Sequence, residues 1–413
     1  MELSNTQCKE SELGLIPNDW EIKKLCNISE LATGSTPPTN DPSNYGDEYF
    51  FVSPADLGKE KWVTNTEKKL SKKGFTTSRK FPKYSILFTC IGSTIGKCGM
   101  ALFELTSNQQ INAVSPSDNY SNDFLYYALN FLAPKIKLRA GEQAVPIINK
   151  TEFGETLLAI PPTKAEQTAI ATALSDVDAL IENLEKLIAK KRNIRNAVLK
   201  VLLTSETDWI EYSIEEIAGS KTKWSITGGP FGSNLKASDY TNDGIRIIQL
   251  QNIGDGKFIN DYEVYTSIEK ADELISCNIY PNEIILSKMG DPVARACIVP
   301  NLQSRYLMCS DGIRLVVNKD KFDNFFIFLN LNSRGFRQNA ENASTGSTRK
   351  RIGLGELKGL KIPCPAKSIQ IEIAGTINDL DSEIELIESR LGKYKMIKQG
   401  VMQTLLTGKI RLI

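Results

Sequence analysis

The sequence predicts an α+β protein in which two globular domains alternate with two long helices. The first observation is an internal repeat: residues 167–204 and 370–407 align without a gap, so every position is matched 203 residues later. The second is that both segments carry apolar residues at helical spacing, without an internal proline. The third is that short β-like runs, separated by Gly, Asn, Asp and Pro, fill the region before each segment. Together they predict two similar half-molecules with internal pseudo-two-fold symmetry.

Both repeated segments are predicted to be long helices, because their apolar residues alternate between spacings of three and four. Prolines precede each segment, at Pro161-Pro162 and at Pro363 and Pro365, as suits a helix start. We expect the helices to pair with each other as an antiparallel coiled coil, rather than to be buried separately. The predicted seam consists of Ile170, Leu174, Val177, Ile181, Leu184, Ile188, Ile373, Ile377, Leu380, Ile384, Ile387 and Leu391.

Polar matches distinguish this repeat from a chance likeness of two amphipathic helices. Gln167 is matched by Gln370, and Asp178 by Asp381, while Leu-Leu-Thr closes both segments. After Ile188 the seven-residue spacing is lost, which indicates a stutter or a change of packing partner. The second half of the first helix is also basic; it is read as a solvated face, with DNA contact as the alternative.

The repeat predicts four parts. Residues 1–160 and 207–362 are expected to be globular domains, and residues 161–206 and 363–413 the helical regions. An Asp-Trp pair opens both domains, at Trp20 and Trp209. The β-like runs include 49–52, 85–89, 246–249, 283–286 and 314–317, and one helix is predicted late in each domain, over 122–131 and 324–331.

The composition and the missing motifs exclude several classes of function. The chain has 413 residues with 50 basic and 49 acidic side chains, whereas a protein that grips DNA alone usually has a basic excess. It contains no histidine, which removes the commonest general base and metal ligand. No zinc-ligand spacing, phosphate-binding glycine loop or Asn-Pro-Pro-Tyr-type methyltransferase loop is found. We therefore expect a protein without catalytic residues, metal or bound cofactor.

Other features bear on location. No apolar run approaches the ~18 residues of a membrane helix, and the first residues are polar and acidic, unlike a secretory signal. The eight cysteines form no Cys-x-x-Cys pair, which favours buried reduced thiols. These features predict a cytoplasmic protein.

Polar, glycine-punctuated loops occupy similar places in both domains. Gln and Asn can bond adenine, Arg and Lys can bond guanine or phosphate, and Ser, Thr and glycine amides can hold phosphates. For any single loop a plain turn is the better interpretation; only the number of these loops and their similar placement in both domains favour DNA binding. The candidate DNA-binding residues are Ser35, Thr36, Ser93, Thr94, Lys97, Gln109, Gln110, Asn112, Ser233, Asn234, Lys236, Lys288, Ser347, Thr348, Arg349 and Lys350.

The order of these motifs resembles the specificity subunits of type I restriction–modification systems over essentially the whole chain. The family's Leu-Pro-Pro-Leu-x-Glu-Gln joint is approached by residues 160–167; the second copy, 362–370, is one residue longer and lacks the Glu. Its Gly-x-Thr-Pro, Thr-x-Gly-Lys, Asn-Gln-Gln and Gly-Ser-Thr-Arg motifs are matched at 34–37, 94–97, 108–110 and 346–349, and residues 228–233 stand where the second domain would carry the first motif.

The resemblance implies that each domain reads one half of a split, asymmetric target in double-stranded DNA, and that the helices set the gap. It implies two methyltransferase subunits docked on the helical regions and leaves open a motor–nuclease subunit. S-adenosylmethionine, ATP and magnesium would be bound by those partners. The alternatives from the residues are a stand-alone DNA-binding protein, which the charge balance disfavours, and a coiled-coil scaffold, which does not explain the paired loops.

Overall fold

The computed structural model describes residues 7–141, 144–204, 208–346 and 349–412. The chain divides into two compact units, Met1–Leu187 with Ile387–Ile413, and Ile188–Leu386. Each unit therefore contains one globular domain and one half of each long helix.

The first domain is built from two five-stranded sheets and two strand pairs. One sheet has the order β4-β13-β10-β11-β7 and the other β5-β8-β6-β12-β9, while β1 pairs with β2 and β3 with β14. The strands are β1 (Cys8–Ser11), β2 (Gly14–Pro17), β3 (Glu21–Lys24), β4 (Leu31–Thr33), β5 (Tyr45–Gly46), β6 (Tyr49–Val52), β7 (Trp62–Val63), β8 (Lys68–Leu70), β9 (Lys80–Phe81), β10 (Ile86–Thr89), β11 (Cys98–Ala101), β12 (Leu105–Ser107), β13 (Ile111–Val114) and β14 (Leu157–Ile160).

Three helices belong to this domain: α1 (Lys72–Thr77), α2 (Asn122–Arg139) and α3 (Lys150–Gly154). The prediction that α2 ends at residue 131 is wrong, because the helix continues for eight more residues, through Pro134 to Arg139. Leu132 and Ile136 are both buried in the domain core, and this burial offsets the backbone hydrogen bond that a proline inside a helix removes. The first long helix, α4 (Lys164–Leu202), begins three residues after Pro161.

The second domain repeats much of the first domain's topology. Its four-stranded sheet, β16-β24-β21-β22, has the connectivity of β4-β13-β10-β11, and its five-stranded sheet has the order β17-β19-β18-β23-β20. Strand β18 runs parallel to β23, as β6 runs parallel to β12. The strands are β15 (Ile210–Ser213), β16 (Ile226–Gly228), β17 (Tyr240–Thr241), β18 (Ile245–Ile248), β19 (Tyr265–Thr266), β20 (Asn278–Ile279), β21 (Ile284–Ser287), β22 (Ala296–Ile298), β23 (Tyr306–Met308), β24 (Gly312–Leu315) and β25 (Lys361–Cys364).

The helices of the second domain are α5 (Ile214–Ile217), α6 (Ile268–Glu273), α7 (Asn324–Leu331), α8 (Arg334–Asn342) and α9 (Leu354–Gly359), and the second long helix is α10 (Lys367–Leu405). The predicted helix over 324–331 is confirmed, and the five predicted strand runs correspond to β6, β10, β18, β21 and β24 within two residues. Both long helices contain 39 residues and start at positions matched in the repeat.

The two long helices pair in antiparallel fashion within each unit. In the first unit, Lys398 of α10 lies 2.5 Å from the carboxylate of Asp178 of α4. In the second unit, Arg195 donates two hydrogen bonds of 2.8 and 2.9 Å to the carboxylate of Asp381. Because Arg195 and Lys398, like Asp178 and Asp381, are matched positions, the same inter-helix ion pair is made once in each unit. The expectation that the basic half of α4 is a solvated face is therefore wrong at Arg195.

All twelve seam residues are buried or half-buried, but helix pairing accounts for only part of that burial. Ile170 and Leu174 pack into the core of the first domain, together with Leu405 and Leu406 of the α10 end. In the second unit, Ile373 and Ile377 enter the domain core in the same way. The expected helix pairing is therefore found, but the first turns of each seam also anchor the helix on the domain of its own unit.

The loss of seven-residue spacing after Ile188 marks a change of packing partner. Val198, Leu199 and Leu202 pack against the core of the second domain. Ile194, by contrast, stays 40% exposed. The end of α4 therefore leaves the helix seam because its apolar residues face a globular domain.

The matched glutamines join each long helix to its domain. The buried Gln167 side chain accepts a hydrogen bond from the backbone N–H of Ser121 and donates one to the carbonyl of Pro161. Gln370 does the same with the N–H of Asp323 and the carbonyl of Pro365. Ser121 and Asp323 cap α2 and α7, so one amide in each unit bridges a helix start and a proline joint.

The structure bears on two expectations, that the cysteines are buried and that no helix spans a membrane. Six of the eight cysteines, all within the described part of the chain, are buried, whereas Cys8 and Cys26 are exposed. The expectation of buried thiols is therefore wrong for these two. No helix among the described residues combines the length and the apolar character that crossing a membrane requires.

Candidate DNA interface

In the first domain, the predicted polar loops meet at one edge of a sheet. Residues 34–39 follow β4 and residues 91–97 follow β10, while residues 107–110 precede β13. Because β13 is antiparallel to both β4 and β10, these three chain segments emerge at the same edge. A fourth segment, residues 144–148, joins them through a bridge between Ile91 and Ile147. We call these four segments the edge loops of the first domain.

Four backbone hydrogen bonds hold the edge loops together. The N–H of Gly34 donates to Ile111 and that of Cys90 to Gln110, closing the first three loops on one another. The N–H of Gly92 donates to the carbonyl of Pro146, and the N–H of Ile148 donates to the carbonyl of Cys90. These two bonds attach the fourth loop. These bonds are 2.8 to 2.9 Å long.

The second domain makes the same four bonds. The backbone N–H of Gly229 donates to the carbonyl of Gly312, and that of Lys288 to the carbonyl of Asp311. Likewise, the N–H of Gly290 donates to Lys350 and that of Ile352 to Lys288. These bonds are 2.7 to 3.3 Å long. Its edge loops are therefore residues 229–234, 289–295, 309–311 and 349–352. This pairing matches Gly34 with Gly229 and Cys90 with Lys288. The first two predicted loops of each domain therefore correspond, whereas the third do not: residues 107–110 are matched by 309–311, and residues 349–352 are matched by 144–148.

One glycine in each domain permits the closest approach within this set. A Cβ added to Gly34 would lie 2.1 Å from the carbonyl oxygen of Asn108, and one added to Gly229 would lie 1.7 Å from that of Cys309. Both separations are far below van der Waals contact, so only glycine allows the loop backbones to touch.

Most candidate residues lie on these loops with exposed or half-buried side chains. The hydroxyl of Thr36 donates a hydrogen bond to Oε1 of Gln109, and this bond joins two edge loops through their side chains. Ser347 and Thr348 lie outside the described residues. The other exposed or half-buried candidates on or next to the edge loops are Ser35, Ser93, Thr94, Gln110, Ser233, Asn234, Lys236, Arg349 and Lys350.

Two candidate DNA-binding residues of the first domain are instead engaged in hydrogen bonds within the domain. Asn112 is buried in the middle of β13, where its side-chain oxygen accepts a hydrogen bond from Thr33, so it offers no surface to a base. Lys97 is half-buried, and its ammonium donates to the carbonyl of Pro54. Arg295, at the matched position of the second domain, donates to the carbonyls of Ile253 and Leu250. Lys97 and Arg295 therefore stabilise the turns beneath the edge loops.

Lys288 is half-buried at the centre of the second domain's edge loops. Its ammonium donates to the carbonyl of Ser310 at 3.0 Å and passes so close to Gly228 that a Cβ there would lie 2.6 Å away. Burial lowers the pKa of this ammonium, and the neighbouring Arg351 adds to the effect. The matched residue in the first domain is Cys90. Its thiol is buried, and this burial raises its pKa to about 12. The two loop centres therefore differ in charge.

Sequence reasoning missed Arg79 and Arg351. The N–H of Arg79 donates to the side chain of Ser35, and its guanidinium donates to the carbonyl of Thr33, so this residue borders the first edge loop. Arg351 lies 3.3 Å from Asp311 across two edge loops of the second domain. Arg79 stands in β-like sequence without a motif, but Arg351 adjoins the predicted Arg349-Lys350 and could have been included.

The described residues contain no group of cysteine and carboxylate side chains arranged to hold a metal ion. What the edge loops do offer is a surface of hydroxyls, amides and basic groups. That is the donor and acceptor set that reads base edges and phosphates.

The sequence matches the family described as Type I restriction modification DNA specificity domain twice, over residues 17–190 and 206–394. The chain belongs to this family. Each match covers one globular domain together with much of the long helix that follows it. This specificity-family chain therefore consists of two copies of the family domain, and its function is DNA-sequence recognition within a type I restriction–modification system rather than catalysis.

Relatives of the whole chain carry the same description. The chain is 24% identical to the Type I restriction enzyme MjaIX specificity subunit of Methanocaldococcus jannaschii, covering 98% of this chain and 97% of that protein. It is 26% identical to the putative MjaX specificity subunit of the same organism, over 98% and 96%. The type I S subunit structure from M. genitalium shares the fold, with a TM-score of 0.59 at 17% identity and 98% coverage of both chains.

Proposed function

We propose that each globular domain reads one half of a bipartite, asymmetric target in double-stranded DNA, with its edge loops as the reading surface. The observation that carries this proposal is the repeated set of four backbone hydrogen bonds. It holds the loops in the same arrangement in both domains, while the side chains on that arrangement differ. Thr36 and Gln109 occupy one edge, whereas Lys288 and Arg351 occupy the other. A shared frame with different side chains suits two readers of different sequences.

The long helices are proposed to separate the readers and to dock two methyltransferase subunits. The ion pair of Asp178 with Lys398 recurs as that of Asp381 with Arg195, so each unit presents a similar helical pair. One kind of subunit can therefore be bound twice. Half-sites read from one face of a duplex have centres ~10 base pairs, about one helical turn, apart.

The chemistry is proposed to belong to the partners. Methyltransferase subunits would bind S-adenosylmethionine, and a motor–nuclease subunit, if it joins, would use ATP and magnesium. The chain has a net charge of +1, which favours a DNA grip shared with partners over strong binding alone. We expect the assembly to act in the cytoplasm.

Exchange of one reader tests the proposal. Residues 21–160 would be replaced by the corresponding residues of another family member, which leaves Trp20 and both long helices unchanged. The hybrid would be co-expressed with the methyltransferase subunits, and the methylated positions in genomic DNA would be mapped by sequencing. We expect one half-site to change while the other half-site and the gap stay the same. A change in both half-sites would contradict the two-reader proposal.

Assembly provides the second test. The isolated chain is expected to bind duplex DNA weakly, with a large gain in affinity after the methyltransferase subunits are added. Tight, sequence-specific binding by the chain alone would instead favour a stand-alone DNA-binding protein. Failure to co-purify with a methyltransferase would contradict the docking proposal.

A further inference from the structure

The side chain of Phe231 is held out in solvent at the second domain's first edge loop. It is 83% exposed, the largest exposed fraction among the exposed aromatic side chains of the described residues. Burying a phenylalanine side chain stabilises a protein by ~1.5–3 kcal/mol relative to leaving it exposed. An isolated exposed apolar residue is ordinary in itself, but this one lies on an edge loop of a globular domain that recognises DNA.

The backbone on both sides of Phe231 is anchored. Two residues earlier, Gly229 donates to the carbonyl of Gly312 at 2.8 Å and packs directly on the carbonyl of Cys309. Three residues later, the N–H of Asn234 donates back to the carbonyl of Phe231 at 2.8 Å, closing a turn. The phenyl ring therefore projects from a fixed loop of the sheet edge.

Basic residues are found on the same set of loops as Phe231. Lys288 lies against Gly228 at the base of the same loop, and Arg351 belongs to the edge loop bonded to Lys288. Lys236, five residues after Phe231 in the chain, and Arg349, on the same edge loop as Arg351, are both exposed. An apolar side chain presented among cations suits nucleic acid better than an apolar protein surface, because the cations bind phosphates while the ring meets the bases.

The first domain has a different side chain at the matched position. Since Gly34 corresponds to Gly229, Thr36 corresponds to Phe231, two residues further on. Thr36 is polar and bonded to Gln109. The first domain therefore presents a hydroxyl–amide pair where the second domain presents a phenyl ring.

We propose that Phe231 inserts as a wedge between two stacked base pairs of the half-site that the second domain reads. Apolar side chains that enter DNA in this way unstack one base step and kink the duplex. The cost of unstacking is lowest at pyrimidine–purine steps, so the second half-site is expected to contain or adjoin such a step. The first half-site is read without unstacking. This inference rests on the proposed two-reader function.

Fluorescent base analogues test the wedge. The full chain would be assembled with its methyltransferase subunits, and the target would be mapped from methylation. Duplexes would then carry 2-aminopurine or pyrrolo-cytosine at single positions of either half-site. The methylated adenine is left out, because a base flipped into a methyltransferase brightens independently of Phe231. Wild-type complex is expected to raise the emission several-fold at one step of the second half-site and nowhere in the first.

Three variants complete the experiment. Phe231→Ala should abolish the rise in emission and weaken target binding roughly tenfold, as expected for loss of one base–aromatic stack. Phe231→Leu should retain part of the rise, because leucine also serves as a wedge. Leu302→Ala removes another exposed apolar side chain of this domain, 59% exposed, and should change neither property. The high exposure of Phe231 means that its substitution leaves the core packing intact.

The outcomes separate the wedge from the proposed function. If the wild-type complex methylates a bipartite target and no position brightens, the wedge is wrong while the two-reader function stands. If Phe231→Ala loses the methyltransferase subunits but not the emission change, the ring contacts a protein partner, and the wedge is again wrong. If no specific target is methylated at all, the proposed function itself fails.

Discussion

The guanidinium of Arg411 lies 2.8 Å from the carboxylate of Glu166, and both side chains are almost completely buried. The same guanidinium donates two hydrogen bonds, of 2.9 and 3.0 Å, to Asp19. It thereby joins three segments of the first unit: the start of the globular domain, the start of α4 and the residues after α10. These segments are distant in sequence, so noncovalent contacts alone hold them together. The second unit has no carboxylate that corresponds to Glu166, because Ile369 occupies the matched position.

Arg411→Ala is expected to destabilise the first unit by about 3–5 kcal/mol, because it leaves the Glu166 carboxylate buried and unpaired. Thermal unfolding followed by circular dichroism measures the effect. Lys409→Ala changes an exposed basic residue two positions away and serves as the control. Equal unfolding temperatures for the two variants would show that the Arg411 ion pairs contribute nothing to stability.

The contact of Arg411 with Asp19 should make stability depend on pH. The hydrogen bonds from Arg411 lower the pKa of Asp19 in the folded protein. A lowered folded-state pKa adds stability above the unfolded-state pKa of about 3.9, and the gain is lost as the pH falls through the folded value. The difference in unfolding midpoint between wild type and Asp19→Asn is therefore expected to be widest near pH 7 and to close below about pH 4. A difference that does not change over this range would exclude the linkage.

The ion pair of Arg195 with Asp381 should be exchangeable. Arg195→Asp and Asp381→Arg are each expected to lower the unfolding midpoint, because each places like charges opposite one another between the helices. The double variant should recover most of the loss, with a coupling energy of about 1 kcal/mol for this half-buried pair. Lys190→Asp alters an exposed residue of the same helix and controls for helix charge. Additive losses in the double variant would argue against a direct pair.

Gly229→Ala should damage the second reader selectively. A Cβ at this position would lie 1.7 Å from a carbonyl oxygen, so the first edge loop must shift. Methylation mapping is expected to show loss of discrimination in one half-site only. Gly232→Ala, in the same loop, meets nothing within 4 Å and should leave the target unchanged. If both variants behaved alike, the close approach of Gly229 would not matter for reading.

Lengthening the helical region should change the gap between half-sites. Four residues inserted after Lys200, in the last turn of α4, would add about 6 Å of helix, which corresponds to roughly two base pairs of duplex. The mapped target is expected to keep both half-sites and gain a longer gap. An unchanged gap would show that the length of this segment does not set the spacing.

Much of the fold could be predicted because it depends on periodicity. The repeat placed both long helices to within a few residues, and glycine and proline punctuation located the loops that form the sheet edges. The match of Gln167 with Gln370 indicated a shared structure, but the hydrogen bonds that these side chains make could not be predicted from the sequence. Each amide joins a proline joint to a helix cap 46 or 47 residues away in sequence, and no local pattern encodes such a contact.

The sequence by itself determined the tandem organisation, the α+β class, the antiparallel helix pair and the candidate loops. These follow from local spacing, which the chain carries at every residue. Only the tertiary structure decided which loop residues remain accessible: Asn112 and Lys97 have suitable chemistry but are committed to internal hydrogen bonds, whereas Phe231 lacks polar chemistry and is fully presented. Exposure depends on which strands pair and which loops share an edge. Those contacts join residues far apart in the chain, so they exist only once the domain is folded.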